Sequence, residues 1–408
     1  MHGRAAGGGE WHDITRGRPT ITIGLLWHSL NSGNLGVGAL TVANWAIARG
    51  VAEGLGLAPR FVIMAARDAE RPGIDLPDTQ VVSIDWRALA PGGELWRAMA
   101  GVDCVLDIGA GDSFTDIYGP RRYAFLLISK LIAIARGKPL IFSPQTIGPF
   151  TKPGYKASAA FAMRRAQAVF ARDELSRGVA QNIAPGAAVR LAVDVAFELP
   201  FEDRSHLRGG PRLRVGVNAS GLLFAEAERG SNRFGLSYDY ATFTRRLLAA
   251  LAARGDVEVH LVPHATSSSD RFDDDGALAD RLAAEFPAAI RVPNFATPSD
   301  AKSYISGLDL LVAARMHACI GAFSSGVPVV PVAYSRKFDG LFALLGYDRI
   351  LPVTGLSEDG ALALVLDALT DRAALAAAEA AGMGQVQSLL SDYRQALRTM
   401  FLGVSTAA

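Results

Sequence analysis

Short apolar runs rich in β-branched residues alternate with helical stretches from Thr20 onward, the pattern of parallel sheets covered by helices. In the first half, strands are predicted at 20–29, 60–66, 80–86, 103–111, 139–146, 168–173 and 188–194, with a helix over 37–56 after the first strand. Between Phe197 and Arg214 the text turns charged and turn-forming, as an interdomain linker does. The alternation then restarts, with strands predicted at 214–220, 257–264, 290–294, 309–317, 327–335 and 349–354. Helices are predicted between them at 239–254, 276–286, 299–307, 318–326 and 336–345. The Ala/Leu-rich tail, about 359–402, has helical spacing, with Gly382 and Gly384 predicted to separate two helices. The expected fold class is α/β, with two Rossmann-like doubly wound domains at 20–196 and 214–355 and a cleft between them. A flexible leader over 1–19, a linker over 197–213 and C-terminal helices over 356–408 complete the division.

Composition narrows the function classes. Half of the 408 residues are hydrophobic and 20% are charged, so the chain can bury large cores. Lys plus Arg number 41 against 40 Asp plus Glu, too even a balance to grip nucleic acid or an anionic membrane through bulk charge. No nucleic-acid partner is expected, and any anion site must be local. Cys104 and Cys319 belong to no metal-ligand spacing, which argues against structural zinc and a disulfide scaffold. The N-terminus shows no apolar export signal, so a cytoplasmic location is expected. The run from Ala124 to Ala135 carries Lys130 and is shorter than the roughly 18 apolar residues of a membrane span. Peripheral membrane contact stays open.

Four segments place polar residues where apolar strands end, the position of functional loops in doubly wound folds. In "HSLNSGNLGVGAL" (28–40), glycines lead from the first strand into a helix and could admit an anion or a sugar; a structural turn is the plainer reading. In "DIGAGDSFTDIYGPRR" (107–122), Asp112, Ser113 and Asp116 could accept sugar hydroxyls or hold a metal, or simply cap a helix. In "SPQTIGPF" (143–150), Gln145 and Thr146 could touch a ligand. The sharpest segment runs from Leu310 to Gly340, where Arg315 and His317 stand at a strand-to-helix junction suited to clamping phosphate or carboxylate. Tyr334, Ser335, Arg336 and Lys337 form a second polar junction one strand later. Arg172 and His264, each after a strand, are further ligand candidates, while the acidic run 273–275 reads as a solvated helix start.

Taken together, "NSGNLGVGAL", "GAGDSFTDIYG", "PQTIGPF", "ARDELS", "VPHATSSSD" and "AARMHACIGAFSSGVPVVPVAYSRKFDG" resemble the polysaccharide pyruvyl transferase family, in the family's order and across about 28–340. Val37 and Gly38 stand where the family's first motif carries an acidic pair, and Ala110 interrupts its glycine triplet. The resemblance implies a GT-B-like pair of domains, with the tail helices crossing back onto the first. It also implies transfer of the pyruvyl group of phosphoenolpyruvate to a sugar or lipid-linked saccharide as a ketal; no cofactor and no metal ligands are assigned.

Phosphoenolpyruvate carries a phosphate and a carboxylate, so its pocket needs cations. Arg172, Arg336 and Lys337, with His264, are the expected donor-binding residues, and His317 with Arg315 the expected catalytic pair. Asn31, Asn34, Asp112, Ser113, Asp116 and Gln145 are the expected acceptor-binding set. A nucleotide-sugar glycosyltransferase and a non-catalytic sugar-binding protein stay open. An oxidoreductase is disfavoured, because neither half carries a dinucleotide fingerprint.

Overall fold

The computed structural model describes residues 17–66, 74–109, 113–266, 272–352 and 354–406. The apolar runs pair into two parallel sheets. The first contains β1 (Thr20–Leu26), β2 (Ala58–Ala65), β3 (Thr79–Ser83), β4 (Cys104–Asp107), β5 (Ser113–Phe114), β6 (Leu140–Ile147), β7 (Ala168–Ala171) and β8 (Val189–Leu191). Its order is β3-β2-β1-β4-β6-β7-β8, with the short β5 beside β6. Its helices are α1 (Leu35–Glu53), α2 (Glu94–Ala100), α3 (Pro120–Ala135), α4 (Pro153–Arg165) and α5 (Glu174–Ile183).

The second sheet contains β9 (Leu213–Asn218), β10 (Val257–Leu261), β11 (Ile290–Arg291), β12 (Leu310–Ala313), β13 (Val329–Ala333) and β14 (Leu351–Pro352), in the order β11-β10-β9-β12-β13-β14. Around it lie α6 (Gly221–Glu228), α7 (Tyr240–Ala252), α8 (Asp275–Glu285), α9 (Pro298–Ile305), α10 (Met316–Ser324) and α11 (Arg336–Leu344). The tail forms α12 (Glu358–Thr370) and α13 (Arg372–Ser405). Strands β4, β6, β7, β12 and β13 are buried along their whole length, because helices cover both faces of a parallel sheet. That is why most of them appear in the sequence as continuous apolar runs, whereas β6 carries Ser143, Gln145 and Thr146 within its buried span.

Helix α1 is rich in Gly and Ala and can be approached closely from every side. It packs against α13, α9 and α10, so one helix of the first domain touches both the second domain and the tail. A single apolar core runs through this contact, from Ile23 and Phe61 of the first sheet to Phe323 and Phe342 of the second domain and Tyr393 of the tail. Within it the Tyr393 hydroxyl donates to Asn44 Oδ1 (2.7 Å) and lies 2.9 Å from Ser143 Oγ, tying α13 to α1 and β6. The opposite face of the first sheet packs under α2, α3 and α4.

Three local expectations differ from the structure. Gly382 and Gly384 lie inside the continuous α13, and the tail breaks at Asp371. A Cβ at Gly382 would come 2.6 Å from the Phe323 ring and 3.1 Å from the Leu345 carbonyl oxygen, so this glycine serves close packing and not helix termination. Strand β12 stops at Ala313 and α10 starts at Met316, which puts His317 in the first helical turn. Helix α6, absent from the sequence reading, is eight residues capped by Ser220, too short to show a period.

The charged stretch after Phe197 is firmly held. Lys302 Nζ donates to the carbonyls of Phe197 (3.1 Å) and Leu199 (3.0 Å), and Arg208 donates to those of Ser306, Ser325 and Gly326.

Candidate active site

Five strand ends from the two sheets converge on one cavity of about 320 Å³. Asn34 follows β1, Arg172 follows β7, His264 follows β10, Arg315 and His317 follow β12, and Lys337 follows β13. Ligands of parallel sheets bind outside the strand carboxyl ends, and here two such edges face each other. The closure is made by main chain as well as side chains. Asn34 pairs with Ala265 as an isolated bridge, and Thr266 N–H donates to the Gly33 carbonyl (3.2 Å). Asn34 Oδ1 also accepts from Gly36 N–H (2.9 Å), capping α1.

Gly36 decides how near the two domains come. A Cβ built on it would lie 2.2 Å from His317 Nδ1, so the imidazole of one domain rests on the first turn of α1 in the other. His317 Nε2 is 3.8 Å from Asp194 Oδ2, and the same carboxylate oxygen accepts from Arg172 Nη1 (2.8 Å). Arg172 Nε donates to Thr146 Oγ1 (2.8 Å), so these two bonds orient the guanidinium and leave Nη2 for a ligand. Asp194 therefore orients Arg172 and stands beside the His317 imidazole at once.

Arg315 is differently committed. Its Nε and Nη2 donate to Asp275, with the shortest bond 2.7 Å, and Nη2 also reaches Asp273. Asp275 is buried and further accepts from the main-chain N–H groups of Gly221, His264 and Ala265 and from Asn218 Nδ2. Burial alone would raise its carboxyl, but the Arg315 guanidinium and these donors outweigh that and hold it below the usual range. The expectation of a solvated helix start at 273–275 is thus corrected at Asp275, which anchors three loops. Removing one partner of a buried ion pair leaves an uncompensated charge. Asp275→Ala should therefore cost about 3–5 kcal/mol of stability, read by urea unfolding.

His264 lines the cavity with its ring buried. Burial, then the neighbouring His317 and Arg315, push it down to about 3, so it meets a ligand as a neutral imidazole.

The first domain's expected acceptor residues are only partly at the cleft. Gln145 is a correction: its Nε2 donates to the Asp107 carbonyl (2.9 Å) and Oδ2 (3.1 Å), in a buried cluster where Lys130 Nζ sits 3.0 Å from Asp107 Oδ1. Asp116 is another, since Oδ2 accepts from Thr151 N–H and Oγ1, both at 2.8 Å, and fixes the turn before α4. Neither lines the cavity, because Gln145 within β6 gives its amide N–H to Asp107 and Asp116 is held by the Thr151 N–H and hydroxyl. Asn31 is half-buried in the loop before α1. Ser113 pairs its backbone with Thr146, Arg336 opens α11, and Asp112 lies outside the described residues, as do the Ser113 and Arg336 side chains.

A second cavity, about 460 Å³, adjoins the first within the N-terminal domain and shares Val37 and Arg122 with it. Trp27, Trp86 and Phe125 give it aromatic walls, and His28 gives it a neutral imidazole pushed down to about 3 by burial. Trp86 remains 43% exposed and meets Phe125 edge-on, with centroids 3.9 Å apart. Arg122 stands where the cavities meet. Its Nε and Nη2 are buried and make no hydrogen bond among the described residues, and its guanidinium lies over the Tyr118 ring, 5.2 Å from the centroid. Arg122 and Asp194 escaped the sequence reading, although Arg122 sits in a motif it singled out and Asp194 ends an apolar strand as Arg172 does.

A family model described as polysaccharide pyruvyl transferase matches residues 46–336. The amylovoran biosynthesis protein AmsJ of Erwinia amylovora is 21% identical over 283 residues, a match spanning 66% of this chain and 66% of that protein. Among solved structures, sucrose-phosphate synthase from Thermosynechococcus elongatus superposes with a TM-score of 0.54 at 12% identity, covering 96% of this chain and 100% of that one. The α,α-trehalose 6-phosphate synthase of Burkholderia multivorans gives 0.52 at 12% identity, covering 96% and 99%. These likenesses show a GT-B fold, two parallel-sheet α/β domains around a cleft. With the match running from α1 to the start of α11, across both walls of the cavity, the chain belongs to the polysaccharide pyruvyl transferase family.

Proposed function

We propose that the chain transfers the pyruvyl group of phosphoenolpyruvate to two hydroxyls of a sugar or lipid-linked saccharide, giving a cyclic ketal and inorganic phosphate. The observation that carries this reading is the pair of adjoining cavities joined at Arg122, one cationic and shared between domains, the other aromatic. The cationic one suits a small molecule with two anionic groups. Arg172 Nη2, Lys337 and Arg122 are the groups we assign to its phosphate and carboxylate. The aromatic cavity suits the apolar face of a sugar ring, with Trp86 as the stacking surface.

In this reading His317, supported by Asp194, gives a proton to the methylene carbon of the enol phosphate while a sugar hydroxyl attacks the central carbon. That hydroxyl's proton returns to the imidazole. The tetrahedral adduct then expels phosphate, and a second hydroxyl of the same sugar closes the ketal, its proton leaving with the phosphate. The neutral His264 adds no charge that would hold the departing anion. Membership in the family supports polysaccharide biosynthesis as the setting.

Calorimetric titration tests the donor directly. Phosphoenolpyruvate should bind and nucleoside diphosphates should not; the reverse would favour a nucleotide-sugar glycosyltransferase. Arg172→Lys should weaken phosphoenolpyruvate binding roughly 10–100-fold, because a point charge loses a charge-assisted hydrogen bond of the planar fork. An unchanged affinity would remove Arg172 from the donor site.

A further inference from the structure

In a chain whose charges balance to +1, the stretch from Ile117 to Arg172 contains ten Lys and Arg and no Asp or Glu. Two of the ten, Lys130 and Arg172, are buried against Asp107 and Asp194, and Arg122 faces the cavities. Of the other seven, Lys138 follows α3 and is half-buried, and six sit at the ends of α3 and along α4: Arg121 and Arg136 flank the first, while Lys152, Lys156, Arg164 and Arg165 belong to the second. All six are exposed.

Between these cations α3 turns an unusual stripe outward. Ala124, Leu127, Ile128, Leu131 and Ala135 recur at helical spacing on the side away from the buried Tyr123, Leu126 and Ser129; Ala135 is exposed and the others are half-buried, Leu127 and Ile128 also touching the domain's core. The only cation in the helix's interior, Lys130, points inward to Asp107. Around this stripe large apolar side chains stand in solvent: Ile117 is 51% exposed, Tyr118 48% and Phe161 42%. A solvated helix would carry charge on its outer face, and α3 carries none from Ala124 to Ala135.

We infer that the α3–α4 face of the N-terminal domain docks on an anionic membrane surface, its cations meeting lipid phosphates and its apolar stripe resting on the headgroup boundary. The absence of any carboxylate over this stretch supplies the charge complementarity, and the interleaved apolar side chains favour a bilayer over a soluble polyanion. Arg121 and Phe125 of α3 also line the aromatic cavity, so a face docked this way presents that cavity's rim to the membrane.

The test needs no turnover, so it stands apart from the proposed reaction. The whole chain is sedimented with phosphatidylcholine vesicles with or without phosphatidylglycerol. Binding is expected only to the anionic vesicles and should fade with added salt. Arg164→Glu with Arg165→Glu should lower partitioning roughly 10²-fold or more, since each basic residue at such a surface contributes about fivefold. Leu131→Glu should weaken it too, and Arg254→Glu in the other domain should leave it unchanged. Absence of binding to anionic vesicles, or binding indifferent to the α4 reversal, overturns the inference. So does heparin binding as tight as vesicle binding and unaffected by Leu131→Glu, which would mark a polyanion site.

Discussion

His317→Ala should lower turnover of phosphoenolpyruvate with its acceptor by roughly 10²–10⁴-fold, the usual contribution of a positioned acid–base group. The loss belongs in kcat more than in binding, because Arg172, Lys337 and Arg122 stay in place. Phosphate release under single-turnover conditions measures it. Asp194→Asn should move in the same direction by a separate route. It keeps the shape but removes the carboxylate 3.8 Å from His317 Nε2 that also holds Arg172, so turnover should fall with the imidazole still in place. Retention of near-normal turnover in His317→Ala would transfer the proton step elsewhere and leave His317 as a domain contact.

Gly36→Ala should be almost as damaging, although residue 36 carries no chemistry. Its new methyl would lie 2.2 Å from His317 Nδ1 and 2.8 Å from Cγ, and either the ring or the domain contact must give way. A displacement of about 1 Å at a reacting group can cost about 10²-fold in rate. Overpacking should add roughly 1–3 kcal/mol of destabilisation. Gly50→Ala in the same helix is the control, because nothing lies within 4 Å of the added methyl. There, replacing a helical glycine should stabilise by roughly 0.5–1 kcal/mol with turnover unchanged. Thermal melts and kcat measured on both variants separate a site effect from a helix effect.

The contrast between these two glycines shows how far local reading reaches. Both sit in α1 and look alike in sequence, yet one is a docking surface for an imidazole from the other domain. The same limit separates Arg315 from Arg172. Each follows a strand, and each is legible as a strand-end cation. Arg315 is nevertheless held by a carboxylate 40 residues earlier, while Arg172 shares Asp194 with His317. Gln145 and Asp116 fail as cleft residues for a related reason: Asp107 accepts the Gln145 amide N–H, and Thr151 donates to Asp116.

By itself the sequence determined the α/β class, the repetition of parallel strands in two halves and the family. A strand buried on both faces must be mostly apolar, and its polar residues gather toward the carboxyl end, as Gln145 and Thr146 do in β6. These are constraints between near neighbours, and they survive in the linear text. Only the tertiary structure decided which strand-end residues share a cavity, which cations are already paired, and that Arg122 bridges two pockets. Those outcomes depend on how α1 of one domain beds against α9 and α10 of the other, and hydrophobic burial drives that contact without encoding which polar groups it brings together.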